Sequence, residues 1–184
     1  MGNRKEEILI VALHLFARDG YEAVSVSQIA GELDMTKGAL YRHYKSKRDI
    51  FDSIVKRMEQ QDGEQASDYD MPEDEKESMP EEYEDVSLDD FASSFRKMLT
   101  IEQFRSEEMQ NLYQQYLVSG PAEYVKELFK NMKMNHPEEN AVKFYANMFF
   151  YYSLYDGEAN KTKAKSQFEQ MLDRIVEEMK KYEL

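Results

Sequence analysis

Residues Ser25 to Lys47 read SVSQIAGELDMTKGALYRHYKSK, and this stretch decides the fold. Val26, Ile29, Ala30, Leu33, Met35, Leu40 and Tyr44 recur at helical spacing around an Asp34-Met35-Thr36 turn. That is the pattern of two short helices sharing a small core. Thr36, Lys37, Tyr41, Arg42, His43 and Lys47 interleave with them, and each can donate a hydrogen bond to a phosphate or a base edge. A packed core with donors on the second helix is what a helix-turn-helix needs to enter a major groove. The stretch therefore predicts a DNA-binding regulator rather than an enzyme.

The flanking sequence extends this reading. Upstream, Ile8, Ala12, Leu15 and Phe16 form one apolar stripe, and Gly20 stands where a helix C-terminal cap belongs. Ser25 with Gln28 makes a capping box for the second helix, and Thr36 is the expected N-cap of a recognition helix over Lys37 to Tyr44. Ser46 and Asp49 repeat the box before a fourth helix carrying Ile50, Phe51, Ile54, Val55 and Met58. The apolar pattern then stops. Residues 59–86 are acidic, contain Pro72 and Pro80 and have almost no aliphatic side chains. Such a stretch cannot bury enough surface to offset its ordering entropy, so it reads as a mobile linker.

Helical patterning resumes at Ser87, whose pairing with Asp90 resembles a capping box ahead of Phe91, Phe95, Met98 and Leu99. Thr100 and Gln103 suggest another before Phe104, Met109, Leu112, Tyr113 and Tyr116. Gly120-Pro121 reads as a break, His136-Pro137 as a helix start and Asp156-Gly157 as a turn. The fold class expected is all-α, with no strand candidate. An N-terminal three-helix head with its connecting fourth helix occupies 1–58, the linker 59–86, and a helical ligand-binding and dimerisation domain 87–184.

Charge is distributed unevenly along the chain. The net formal charge is −13, but residues 1–57 carry 10 Lys/Arg against 8 Asp/Glu, while 59–90 carry 1 against 15. Screening beyond about 8 Å at physiological salt lets a basic face work despite a distant acidic stretch. With no cysteine, a disulfide framework and a thiolate metal site or nucleophile are excluded. No apolar run approaches the ~18 residues of a membrane span, and no signal-peptide pattern opens the chain, so the expected location is the cytoplasm, on the nucleoid when DNA-bound. His14 and His136 stand outside any ligand-spaced cluster, and no glycine elbow or paired carboxylates occur. Hence no metal, cofactor or catalytic residue is expected.

Ile8-x3-Ala12-x2-Leu15-Phe16, Gly20-Tyr21, Ser25-Val26-x2-Ile29-Ala30, Thr36-Lys37-Gly38-x-Leu40-Tyr41-x-His43-Tyr44 and Lys47-x3-Phe51 together resemble the N-terminal domain of the TetR family of bacterial transcriptional regulators. The resemblance implies a homodimer reading successive major grooves of a near-palindromic operator, and an effector domain in which a small molecule changes the spacing of the heads. By the family's motif, Ser25, Thr36, Lys37, Tyr41, His43 and Lys47 contact DNA, Gly38 lets the helix approach closely, and Arg42 is a candidate base reader. Asp34 departs from the pattern, standing where the family has glycine; aspartate tolerates left-handed backbone better than most residues.

Two further expectations concern 87–184. Phe, Tyr and Met are dense there, which predicts a pocket for a small apolar or aromatic effector, lined by some of Phe95, Met98, Tyr113, Tyr116, Phe144, Met148 and Tyr152. The stretch from Ala141 to Tyr155 has more apolar surface than one neighbour covers. A four-helix dimer interface using Phe149, Phe168, Met171, Leu172, Ile175 and Met179 would account for it. The reading is a repressor released by its ligand; the alternative is a ligand-independent DNA-organising or protein-recruiting factor.

Overall fold

The computed structural model describes residues 4–69, 90–158 and 160–180, the side chains of 62–69 and 176–180 excepted. The described residues contain helices and turns, with no strand among them. The chain divides into two compact units, 1–98 and 99–184.

In the first unit, α1 (Arg4–Asp19), α2 (Val26–Glu32), α3 (Lys37–Leu40) and α4 (Lys47–Tyr69) form the head. Ile8, Leu13, Phe16, Ile29, Leu40, Ile50, Phe51 and Ile54 are fully buried and make its core. Tyr21 closes one end, its ring 5.1 Å from both Phe16 and Phe51. The helix ends obey local chemistry. Gly20 ends α1 at φ 86°, with its amide on the Phe16 carbonyl. Ser25 caps α2 reciprocally with Gln28, at 3.2 and 2.7 Å. Thr36 Oγ1 accepts from the Ala39 amide. Asp34 occupies left-handed backbone at φ 51°, as the turn demands of whatever replaces glycine there. At α4, Ser46 Oγ accepts from the Asp49 amide, and the Asp49 carboxylate reaches back to the Lys45 amide.

Three boundaries differ from the sequence reading. The recognition helix ends at Leu40 rather than Tyr44, because the Arg42 and His43 amides bond three residues back, to Ala39 and Leu40, and tighten the chain into a turn. Helix α4 runs on to Tyr69, further into the acidic stretch than the turn or two expected of it; its Glu, Gln and Ala residues favour helix. The rest of that stretch, 70–86, and the Ser87 cap lie outside the described residues. Finally, α5 (Asp90–Glu102) passes straight through Thr100. The Gln103 side chain donates to the Thr100 carbonyl, and the true cap of the next helix is Ser106, which accepts from the Met109 amide.

The second unit holds the end of α5, α6 (Glu107–Tyr113), α7 (Ser119–Asn131), α8 (Pro137–Gly157) and α9 (Lys161–Lys180). The break expected at Gly120-Pro121 falls two residues earlier: a π-helical segment, Gln114–Val118, follows α6, and Val118 leaves helical backbone at φ −130°, ψ −84° before α7 begins at Ser119. Val125, Phe129, Met134 and Ala141 make one core cluster, with Leu128 and Phe144 against it. Ala164, Phe168 and Met171 are buried between α9 and α8, where Tyr151 and Tyr152 meet the Phe168 ring at 6.3 and 5.4 Å. No helix among the described residues is long and apolar enough to cross a membrane.

Candidate nucleic-acid interface

The capped turn from Thr36 to Tyr44 presents the donors. Thr36, Lys37, Gly38, Tyr41 and Arg42 are exposed, His43 is half-buried, and Ser25 is exposed at the start of α2. Leu40 and Tyr44 point the other way and are buried at 0 % and 5 % exposure, so one side of the turn is core and the other is free for a groove. Lys37 Nζ lies 5.7 Å from the Tyr41 ring centroid, a cation–π arrangement that holds charge and aromatic face together on the exposed side. A Cβ built on Gly38 would meet nothing within 4 Å. The protein itself therefore does not require glycine at that position.

Lys47 has a second occupation. Its ammonium donates to the Tyr21 and Glu22 carbonyls at 2.8 and 3.3 Å and sits 4.3 Å from the Tyr21 ring centroid. An ammonium has three donors, so one N–H is left for a phosphate. Lys47 thus fastens the α1–α2 connection to α4 while still offering a charge.

The turn is held from behind by contacts that periodicity cannot reveal. Tyr44 Oη donates to the Lys5 carbonyl at 3.1 Å, with Lys5 Nζ 5.5 Å from the Tyr44 ring. Burial pushes the Tyr44 phenol above its ordinary value near 10, and the charges of Glu6 and Asp49 push the same way. Arg4 donates to the Leu33 carbonyl at 2.9 Å. These pairs are 29 to 39 residues apart in sequence, beyond the reach of any local pattern.

The residues expected to line an effector pocket are divided between the units. Phe95 and Met98 belong to the first unit, at 1 % and 0 % exposure. Tyr113, Tyr116, Phe144, Met148 and Tyr152 belong to the second and are half-buried. Phe144 packs edge-on against Phe129 and Tyr152 stacks on Phe168, each with part of its surface exposed. A cleft of about 200 Å³ on the α8–α9 pair is lined by Tyr151, Gln167, Gln170, Met171 and Arg174, none of them in the expected set. Sequence reading followed aromatic density, whereas this lining is mainly polar.

The expected dimer residues also sort by burial. Phe168 and Met171 are buried at 1 % and 7 % exposure within the chain, the Phe168 ring against Tyr151 and Tyr152 of α8. Phe149, Leu172 and Ile175 are half-buried, and Met179 lies outside the described side chains. The free apolar surface of α8 is instead Val142, Phe150 and Leu154, exposed at 64, 56 and 44 %. They recur at intervals of eight and four, along one side of the helix. No group of three His, Cys, Asp or Glu able to hold a metal occurs among the described residues.

Residues 8–54 match the family model for bacterial regulatory proteins of the tetR family. The chain is 38 % identical over 65 residues to the HTH-type transcriptional regulator AcrR of Shigella flexneri, covering 35 % of this chain and 30 % of that protein. It is 43 % identical over 47 residues to the uncharacterized HTH-type transcriptional regulator YerO of Bacillus subtilis, covering 26 % and 16 %. It is 40 % identical over 58 residues to the nucleoid occlusion factor SlmA of Escherichia coli, covering 31 % and 29 %. In each case the match spans less than a third of the relative's own length.

Proposed function

We propose, from the match of residues 8–54 to the model for bacterial regulatory proteins of the tetR family, that this chain is a homodimeric repressor with a DNA-binding head, released from a near-palindromic operator by a small apolar or aromatic ligand. One observation supports it most. The capped Thr36–Tyr44 turn buries Leu40 and Tyr44 and exposes Lys37, Tyr41 and Arg42, the division of labour a recognition helix needs. In this reading Lys37, Tyr41 and Arg42 supply groove contacts, with Arg42 suited to the acceptor edge of guanine. Ser25, Thr36, His43 and the remaining donor of Lys47 position the duplex through phosphates, and Gly38 leaves room for the sugar–phosphate backbone.

The second unit supplies dimerisation and ligand sensing in the proposal. Two copies of the Val142–Phe150–Leu154 surface, packed about a twofold axis, would bury a face too apolar for solvent. Half-buried Tyr113, Tyr116 and Met148 would seat an aromatic or apolar effector. The similarity to a nucleoid occlusion factor favours a second reading, DNA organisation without a ligand. One experiment separates the two: adding a library of apolar and aromatic compounds to the protein–DNA complex and recording release. Release by a compound, together with a raised melting temperature, supports the repressor; a complex indifferent to every compound favours the organiser.

A further inference from the structure

Among the described residues, Arg57 ties the head to α5 by contacts on both its edge and its face. Its Nε donates to Glu6 Oε1 at 2.6 Å, Nη1 reaches Gln61 one turn along α4 at 3.3 Å, and the guanidinium carbon lies 3.8 Å from the Phe91 ring centroid. Arg57 of α4 therefore binds the first turn of α1 with one edge and the first turn of α5 with its face. An exposed ion pair contributes little, but a guanidinium fixed at its edge and stacked on its face has few alternative positions.

Glu6 stands in a three-residue run with a partner for each member. Arg4 donates to the Leu33 carbonyl, where α2 ends. The Lys5 carbonyl accepts from Tyr44 Oη, where the recognition turn ends. Glu6 accepts from Arg57. The first turn of α1 thus touches the end of α2 and the end of the recognition turn and, through Arg57, the start of α5. A second tie, His14 Nε2 to Asp90 Oδ2 at 2.7 Å, fastens α1 to that same turn of α5. Every group in this chain of contacts lies within the first unit, and α5 continues from it into the second.

We propose that Arg57 is a positioning residue for DNA binding: through Glu6 and the first turn of α1, it fixes the Thr36–Tyr44 turn relative to α5. A displacement of α5 that pulls Phe91 off the guanidinium frees Glu6, loosens the Lys5 carbonyl from Tyr44 and lets the reading turn shift. Arg57, Glu6 and Phe91 are not among the residues assigned to DNA contact. It rests on the DNA-binding reading of the head, and it makes α1 the strut between α5 and the recognition turn.

The test is a double-mutant cycle with Arg57→Gln and Tyr44→Phe in the full-length protein. The duplex is the one the wild type selects from a random-sequence library, and amide hydrogen exchange is followed in the DNA-free proteins. Arg57→Gln is expected to weaken binding about tenfold, within the usual range of site–site coupling, and to weaken it no further once Tyr44→Phe is present. Exchange should quicken at the His43 and Tyr44 amides while Ile29 and Phe51 keep their protection. Additive losses, unchanged exchange or a uniform rise across the head would each overturn the strut. Should the wild type select no duplex, the DNA-binding reading itself fails, and the exchange pattern alone still decides whether Arg57 holds the turn.

Discussion

The Tyr145 hydroxyl donates to the Leu117 carbonyl across 2.7 Å, serving an oxygen that Pro121 cannot. In a regular α-helix the amide four residues on would satisfy that carbonyl, and proline has none. The π-helical turn exists for a related reason. A Cβ on Gly120 would lie 1.8 Å from the Gln115 carbonyl oxygen, so only glycine lets the wide turn close. Ser119 Oγ adds a bond to the Gln114 carbonyl at 3.0 Å. Tyr145→Phe should therefore cost about 1 kcal/mol in urea unfolding. Gly120→Ala should cost more than that, since the clash is with backbone. A neutral Gly120→Ala would mean the wide turn is not required.

Lys47 is expected to act twice when removed. Lys47→Met keeps the stem and loses every N–H. It should lower the melting temperature, because the Tyr21 and Glu22 carbonyls lose their donor. It should also weaken DNA binding evenly across sequences, with a salt slope flatter by about 1. Loss confined to one operator base would point to base reading instead.

Gly38→Ala separates fold from function. The added methyl meets nothing in the protein, and alanine is favoured over glycine in a helix by up to about 1 kcal/mol. Thermal stability should hold or rise slightly while affinity for DNA falls several-fold. Unchanged affinity would remove Gly38 from the interface.

On α8, Phe150→Glu with Leu154→Glu places charge on the outward face without entering the core. Sedimentation should show a monomer, and DNA affinity should drop with the loss of the second head. Phe168→Ala, by contrast, should cost about 3–5 kcal/mol, because that ring is buried within one chain. A double variant that sediments as wild type would place any interface elsewhere.

Tyr44 sets an alkaline limit. Burial holds its pKa above the unfolded value near 10, so the folded state favours the neutral phenol. That contribution is complete below about pH 10 and is lost as pH rises through the folded value, where the phenolate must form. As pH rises above about 10 the melting temperature of the wild type should fall more steeply than that of Tyr44→Phe. Parallel curves would show that another group governs the decline.

The head was readable in the sequence because its signals are local. Gly20, Ser25, Thr36 and Ser46 act within four residues of themselves, and the apolar positions repeat with the helix. Legibility fell where structure depends on partners far along the chain. Thr100 with Gln103 has the spacing of a capping box yet lies at the end of α5, while Ser106, the real cap, lacks the reciprocal Glu or Gln at Met109. Phe168 has the same apolar character as Phe150, but only packing tells that one is core and the other free. The Arg57–Glu6 bond joins residues 51 positions apart, and nothing in either neighbourhood announces it. The ring contacts of Phe144 with Phe129 and of Tyr152 with Phe168 are hidden from the sequence for the same reason.

The most direct test of the account is footprinting on the intergenic DNA upstream of the protein's own gene, at several salt concentrations. The expected result is a protected near-palindrome with half-sites about one helical turn or a multiple of it apart, and protection that Arg42→Ala weakens at specific base pairs. Uniform, strongly salt-sensitive binding that protects no sequence there or in fragments selected genome-wide would contradict it, and would leave a DNA-binding head without an operator.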